Sequence, residues 1–428
     1  MKFCQIHNKY EWIKCKNPVL EADSEGMCLL HSKMPNKDNK LFIENIKTKL
    51  INEDYDFAGS FFPCEIHFSG LTFKKAVDFR NVIFSGPSNF INVNFNDEAR
   101  FDSSVFLKTA DFNRATFSGI ANFSNAQFKS EIYFVAATFK ELGYFDRAIF
   151  YAEGNFALSV FYSQVSFSTI TVFGKVCFQA INLPKKDGSH DDFRADFGFI
   201  NINADGLIIF QDLSLAKVEF FGTDMRLVEL RNVVWHNLFG RQAVFDEILV
   251  NERELNYFKR ILRSIRKKAA GPDKGQYSRI EILYRYLKLN FEKVGDLKQA
   301  GDFHYGEMEM HRRASKWRWF PLYWYNLYRV LNGYGERPSW ALGWLAGFLL
   351  ALPVLVWEFG LDSVAGETRP GFLETLAYIF EKATFQRPLL LSNLNLLGRF
   401  ISNLSLLIIP GQAALFLLAL RNRLGRRR

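Results

Sequence analysis

The sequence predicts a mainly β fold, a solenoid, followed by an α-helical hairpin and two transmembrane helices. Three observations predict it: a regular ladder of phenylalanines, a small or aliphatic residue two places before most rungs, and two long charge-free stretches further along.

The ladder runs Phe57, Phe62, Phe68, Phe73, Phe79 and Phe84, and continues to Phe167 at alternating gaps of five and six, with Val172 in the slot before Phe178. Neither a helix of period 3.6 nor a strand of period 2 returns one face at such gaps. A short period sustained this long belongs to a solenoid. Two places before the rungs stand Ile66, Leu71, Val77, Val82, Ala99 and Ala110, with Gly143, Gly154, Ser88, Ser104 and Ser159 among the rest. Alternation along a strand turns both of these inward and the residue between them outward. Those outward residues are largely polar: Asp78, Asn89, Arg100, Asp111, Asn122 and Gln127.

This pattern resembles the pentapeptide-repeat family, whose unit is a small residue, a polar residue, Leu or Phe, and two turn residues. The resemblance implies a right-handed quadrilateral β-helix. The chain departs from the family in its six-residue steps, read as one extra turn or bulge residue per pair of sides, so that a coil takes about 22 residues instead of about 20. After an insertion at Pro184–Asp192 the ladder tightens to strict fives at Phe210, Leu215, Phe220, Met225, Leu230 and Trp235. With roughly 4.8 Å per coil, residues 57–235 predict about eight coils.

Charge narrows the partners. The chain carries a net +9, yet residues 57–235 hold sixteen Lys and Arg against nineteen Asp and Glu. Some members of the family are acidic rods that imitate DNA and bind topoisomerases. A near-neutral rod lacks the field such mimicry needs, and nucleic acid is not an expected partner. Five cysteines, with no signal-peptide pattern, point to a reducing compartment. Cys64 and Cys177, within the repeat, are expected to be small buried residues.

Cys4, His7, Cys15, Cys28 and His31 fall in the order C-x2-H, C, C-x2-H. Zinc takes four thiolate or imidazole ligands in a tetrahedron, and two-residue spacers let paired ligands reach one ion from a tight turn. The expected ligands of a structural Zn2+ in a knuckle-like module at 1–35 are Cys4, Cys15, Cys28 and His31, with His7 as the alternative. A capping helix is expected at 36–56, with Leu41, Ile43, Ile46 and Leu50 on the face that covers the first coil.

Beyond the solenoid, residues 236–316 are expected to form cytoplasmic helices. Leu255, Phe258, Leu262 and Ile265 mark one apolar face with basic residues around it; Gly271-Pro272 breaks the chain. A hairpin follows, its turn at Gly295-Asp296. Residues 291–313 resemble the segment that joins repeats to spans in some membrane-attached pentapeptide-repeat proteins. Within it His304, Glu307 and His311 share a helix face and form a candidate polar site, although exposed helix faces commonly carry such sets. No nucleophile elbow, Walker loop or HExxH is present, and no enzyme is expected.

Ser339–Trp357 and Phe400–Leu420 carry no charge. At 1.5 Å per residue each reaches roughly the 30 Å of bilayer hydrocarbon. The membrane domain is expected at 336–428, with spans at about 339–357 and 400–420 and a short helix at about 372–385. Before it, residues 317–335 read as an interfacial aromatic helix, through Trp317, Trp319, Trp324 and Tyr328. Arg and Lys flank the outer ends of the spans and the connecting loop is poor in them, so both termini and the solenoid are expected in the cytoplasm, at a cell (inner) membrane. Asn403 and Gln412 in the second span are expected to make intramembrane polar contacts, either with other helices or lining a pore.

The functional expectation is a membrane-anchored cytoplasmic scaffold that binds a protein partner. The alternative is a subunit of an oligomeric channel. Span, short helix, span is the order of two-helix ion channels, but Thr384-Phe385-Gln386-Arg387-Pro388 carries no T-V-G-Y-G filter, and two spans need self-association to enclose a pore.

Overall fold

The computed structural model describes residues 3–34, 37–181, 193–263, 274–317, 320, 323–362, 369–386 and 394–425. The insertion at Pro184–Asp192, Ile265, Gly271-Pro272, Trp319 and Arg387-Pro388 lie outside them. The chain divides into two compact units, Met1–Tyr286 and Leu287–Arg428.

The first unit is built on a four-sided parallel solenoid. Its sides stack from Phe61–Phe62 to Asn201–Ile202, from Ile66–His67 to Val228–Arg231, from Thr72–Phe73 to Val160–Phe161, and from Val77–Asp78 to Lys217–Glu219. It makes about seven turns over residues 61–231, not eight. The insertion lengthens one coil: Ile83 pairs with Val105 at the regular offset of 22, whereas Thr171 pairs with Asn201, 30 residues on. In the last coil Ile208 pairs with Val228 at an offset of 20, as the tightened ladder predicts.

Paired strands are in register over both residues, so the extra residue of each six-residue step sits in a corner and forms no bulge. The five-residue corners are tight turns whose third residue has positive φ, as at Asn81, Asn92, Ser103 and Arg114. Asn tolerates that conformation through its short polar side chain. Outward Asx residues hold the same corners: Asp78, Asn89, Asp111 and Asn122 each accept from the backbone N–H two residues on.

Inside, the phenylalanines form columns. Phe90 stacks on Phe112 at 4.5 Å with planes 2° apart, and meets Phe101 of the neighbouring column edge-on at 5.6 Å. Rungs from Phe57 to Phe178 are at most 1% exposed. The small inward residues make room for these rings: a Cβ at Gly154 would stand 2.9 Å from Phe150. Leu71, expected inside, is 37% exposed. Cys64 and Cys177 are half-buried, contrary to expectation, because Cys64 lies at a corner and Cys177 takes an outward strand position.

Both ends of the solenoid are covered. Helix α1 (Asn39–Ile51) starts at Asp38, whose carboxylate accepts from the N–H groups of Lys40 and Leu41. It buries Phe42 and Ile46, and Phe42 meets Phe62 edge-on at 5.2 Å; Leu41, expected on this face, points to solvent. At the far end a hairpin (His236–Leu238 with Arg241–Ala243) leads into α2 (Phe245–Arg263). There Asp246 accepts from the N–H of Phe220 at 3.1 Å, satisfying an open edge. Arg241 and Glu247 form a buried ion pair at 2.6 Å, and the Tyr284 hydroxyl bonds to Glu247. Tyr284 lies on α3 (Lys274–Lys293).

The second unit contains the end of α3, then α4 (Leu297–Ala314), α5 (Trp324–Asn332), α6 (Pro338–Phe359), α7 (Phe372–Ala383) and α8 (Leu396–Gly425). Gly295, at φ +78°, turns the chain between α3 and α4. Glu309 on α4 is a hub: Arg312, Arg313 and the Tyr334 hydroxyl reach it at 2.7, 2.8 and 2.9 Å. Burial pushes its carboxyl up, but the two arginines outweigh that and hold it at about 2. The Gly333-Tyr334-Gly335 turn, all three with positive φ, links α5 to α6. Helices α6, α7 and α8 share a core of Leu352, Val356, Tyr378, Ile379, Ala383 and Ile409. At the α6–α8 crossing a Cβ on Gly398 would stand 2.2 Å from the Gly360 carbonyl oxygen, so close approach requires glycine there.

Candidate metal centre

Three short turns build the N-terminal cluster. The strand-like stretch at Phe3 bridges Pro18, which brings Cys4 N–H to Asn17 O at 3.0 Å and carries Cys15 alongside. A hairpin turn held by Asp23, which accepts from the N–H groups of Glu25 and Met27, brings in Cys28. Cys28 O then accepts from the N–H groups of His31 and Ser32, one tight turn that sets a thiol and an imidazole side by side. Ile6, Ile13, Met27 and Leu30 lie buried beneath.

The ligand atoms of Cys4, Cys15, Cys28 and His31 all lie within 4.8 Å of one another. His31 Nδ1 stands 3.3 Å from Cys4 Sγ and 3.2 Å from Cys28 Sγ; Cys15 Sγ is 3.8 Å from Cys28 Sγ. A tetrahedral site with metal–sulfur bonds of about 2.3 Å has edges of about 3.8 Å, so the separations fit one ion. On its other side the ring hydrogen-bonds through Nε2 to Ala58 O at 3.0 Å, which assigns that nitrogen as the donor and leaves Nδ1 its lone pair toward the sulfurs. The hydrogen bonds among the sulfurs, between Cys15 and Cys28 first and then to Cys4, pull the Cys28 thiol down and push that of Cys15 up. The cluster thus holds thiolate character at its buried centre, the form a cation requires. It could hold a metal ion. Four protein ligands would close the coordination shell and leave no position for a substrate.

His7, the alternative ligand, is exposed on a single 3-10 turn and is not among the converging donors. Lys37 was not foreseen. It is buried, donates to the carbonyls of Leu30, Ser32 and Phe61 at 3.3, 3.2 and 2.6 Å, and so ties the cluster's last turn to the edge of the solenoid. Burial lowers its pKa to about 7. Nothing in the spacing of one lysine among many distinguishes it.

The other candidate residues separate. His304 Nδ1 lies 3.7 Å from Glu307, but Glu307 is held by Lys288 at 2.7 Å and His311 packs on the Tyr325 ring at 4.9 Å. The three do not converge. Gln412 is buried and donates to Leu331 O and Ala341 O at 3.1 and 2.9 Å, and exposed Asn403 accepts from Lys382 at 2.8 Å. Both are engaged by neighbouring helices of the same chain.

A family model described as pentapeptide repeats, in nine copies, matches residues 68–116, 79–126 and 112–160. Neither the curated proteins nor the solved structures gave a match. The chain therefore carries pentapeptide repeats, and the β-solenoid they build precedes helices that include two long and apolar enough to cross a membrane.

Proposed function

We propose that the protein is a membrane-anchored scaffold: α6 and α8 span a cell (inner) membrane, the solenoid stands in the cytoplasm with both termini, and one of its faces receives a protein partner without catalysis. The carrying observation is the surface of the two long helices. Only 22% of each apolar window is buried, and residues such as Leu350 (60%) and Leu407 (75%) lie open. A core helix of a water-soluble domain would bury them, whereas hydrocarbon solvates them. Lys316, Arg329 and Arg337 before α6, with Arg421 and Arg423 at the C-terminal end of α8, support a cytoplasmic location for those ends.

The sides of the solenoid differ. On the side that begins at Val77 the outward residues include Asp78, Arg100, Asp196 and Glu219; on the side that begins at Phe61 they are Phe61, Ile83, Val105, Gln127, Ile149, Thr171 and Asn201. Along the next corner Leu107, Tyr151 and Phe173 are exposed, with Tyr151 and Phe173 stacked at 5.1 Å and the Lys129 ammonium 3.5 Å over the Tyr151 ring. A flat apolar face rimmed by charge is the chemistry of a protein–protein contact. The polar residues of α8 supply intrachain bonds, which favours an anchor over a pore.

Zinc is the proposed metal, as three thiols and one imidazole suit it, and its role is to fix the cap on the first coil. Buried Lys37 would offset the negative charge of three thiolates around one divalent ion. Metal analysis of the full chain should return about one zinc ion per chain, lost in Cys4→Ser/Cys28→Ser. For the partner, a photo-crosslinking residue at Tyr151 should capture a discrete adduct in cells, and one at Asn122, on the polar side, should not. Equal capture from both, or from neither, would remove the docking face.

A further inference from the structure

We infer that the arginine-bearing end of α8 binds the phosphates of anionic phospholipids, one headgroup at Arg421 and another at Arg423 on the opposite side of the helix, beside the Gly333–Gly335 turn. This rests on the membrane reading above.

Helix α8 has 30 residues, about 45 Å at 1.5 Å per residue, and overshoots the roughly 30 Å of hydrocarbon. Its charge-free stretch ends at Leu420, so Arg421 and Arg423 emerge at headgroup depth. Between them Asn422 donates to Gly335 O at 3.3 Å, which pins this overhang to the turn that opens α6. The two arginines flank a fixed contact and are exposed on either side of it.

The nearby cations differ in what they hold. Arg312, Arg313 and Arg329 reach Glu309 at 2.7, 2.8 and 3.5 Å, and Arg337 lies over the Trp340 ring at 5.1 Å. Among the described residues no carboxylate forms an ion pair with Arg421 or Arg423. A guanidinium presents a planar fork that matches phosphate oxygens two at a time. A zwitterionic headgroup brings its own ammonium to that phosphate; an anionic one leaves the charge for the protein. Trp340, exposed at the same end, is the amphipathic ring that settles at this depth.

The test titrates the detergent-solubilised full chain with phosphatidylglycerol, phosphatidylcholine or inorganic phosphate and follows tryptophan fluorescence. Phosphatidylglycerol should bind, more weakly as salt rises. Arg421→Gln/Arg423→Gln should weaken it by roughly 5-fold per arginine, with an unchanged melting midpoint showing an intact fold. Lys108→Gln/Lys140→Gln, the same charge change on the solenoid, should bind as the parent does. The site is overturned if the arginine variant keeps parental affinity, if phosphatidylcholine binds equally, or if inorganic phosphate displaces the lipid at equal concentration. Flotation separates the two readings: a chain that stays off phosphatidylcholine vesicles refutes the membrane span itself, whereas one that floats equally with and without the arginines leaves the span intact and tests the site alone.

Discussion

The two units direct their apolar side chains in opposite ways. In the first, the rungs of the ladder from Phe57 to Phe178 sit within a closed four-sided coil, at most 1% exposed, and the corners turn Asp, Asn and Arg to water. In the second, α6 and α8 share a small core with α7 and turn Trp344, Leu350, Leu407 and Leu417 outward. Burying apolar surface from water contributes about 25 cal/mol per Å², so an outward leucine gains nothing in water and loses nothing in hydrocarbon. On the proposed function, water solvates the first unit and hydrocarbon the outward faces of the second.

Four substitutions would break or sharpen that contrast. The largest effect is expected at the middle of a phenylalanine column. Phe112 stacks on Phe90 at 4.5 Å and on Phe134 at 5.0 Å, so Phe112→Ala should cost about 3 to 5 kcal/mol in urea unfolding, since coils above and below cannot close the void. A loss below about 1 kcal/mol would mean that the columns do not carry the solenoid.

Next comes a buried acid of the first unit. Burial pushes the Asp246 carboxyl from 3.8 up to about 7. Between those values the folded chain keeps a proton the unfolded chain has lost. Stability should therefore fall as pH rises from about 4 to about 7 and level off above. Asp246→Asn should flatten that slope and stabilise the chain at pH 8 by up to about 4 kcal/mol at 1.36 kcal/mol per pH unit, because the amide oxygen still accepts from Phe220. An unchanged slope in urea midpoints measured across pH would place the titration elsewhere.

The outward face of α8 offers the converse. Leu407→Lys should cost about 2.5 to 3.5 kcal/mol of membrane insertion near the middle of a span, measured as the integrated fraction. A surface leucine in water would accept the change freely. The smallest effect is expected within the rod, where Ser104 is buried and its hydroxyl finds no partner. Its counterparts one and two coils on are Ala126 and Ala148, so Ser104→Ala should raise stability by about 1 kcal/mol; a loss would show that the hydroxyl is satisfied.

The ladder made the solenoid legible, because a bulky rung that returns at gaps of five and six with a small residue two places before it fits neither a helix face nor a strand face. The number of coils was less so, since the insertion stretches one coil without leaving a rung to count. On α1 Ile46 is buried as expected, but Phe42 takes the place expected for Leu41: both are apolar, and packing on Phe62 selects Phe42. Spacing alone suggested Cys4, Cys15, Cys28 and His31, whose donors do converge, yet it could not place Lys37 or the Ala58 carbonyl, which arrive through the first coil. The Arg241–Glu247–Tyr284 network ties Tyr284 to residues 37 and 43 positions earlier, and no local pattern announces it. Glu309 was more accessible, with Arg312 and Arg313 at the i+3 and i+4 positions that meet on a helix.

The central claim is that the second unit lies in a bilayer and holds the solenoid there. Its most direct test is an alkaline carbonate wash of membranes from cells that make the full chain, followed by sedimentation. Integral spans resist the wash, so the chain should remain in the pellet and leave it only with detergent. Release of the intact, folded chain into the supernatant would contradict the account.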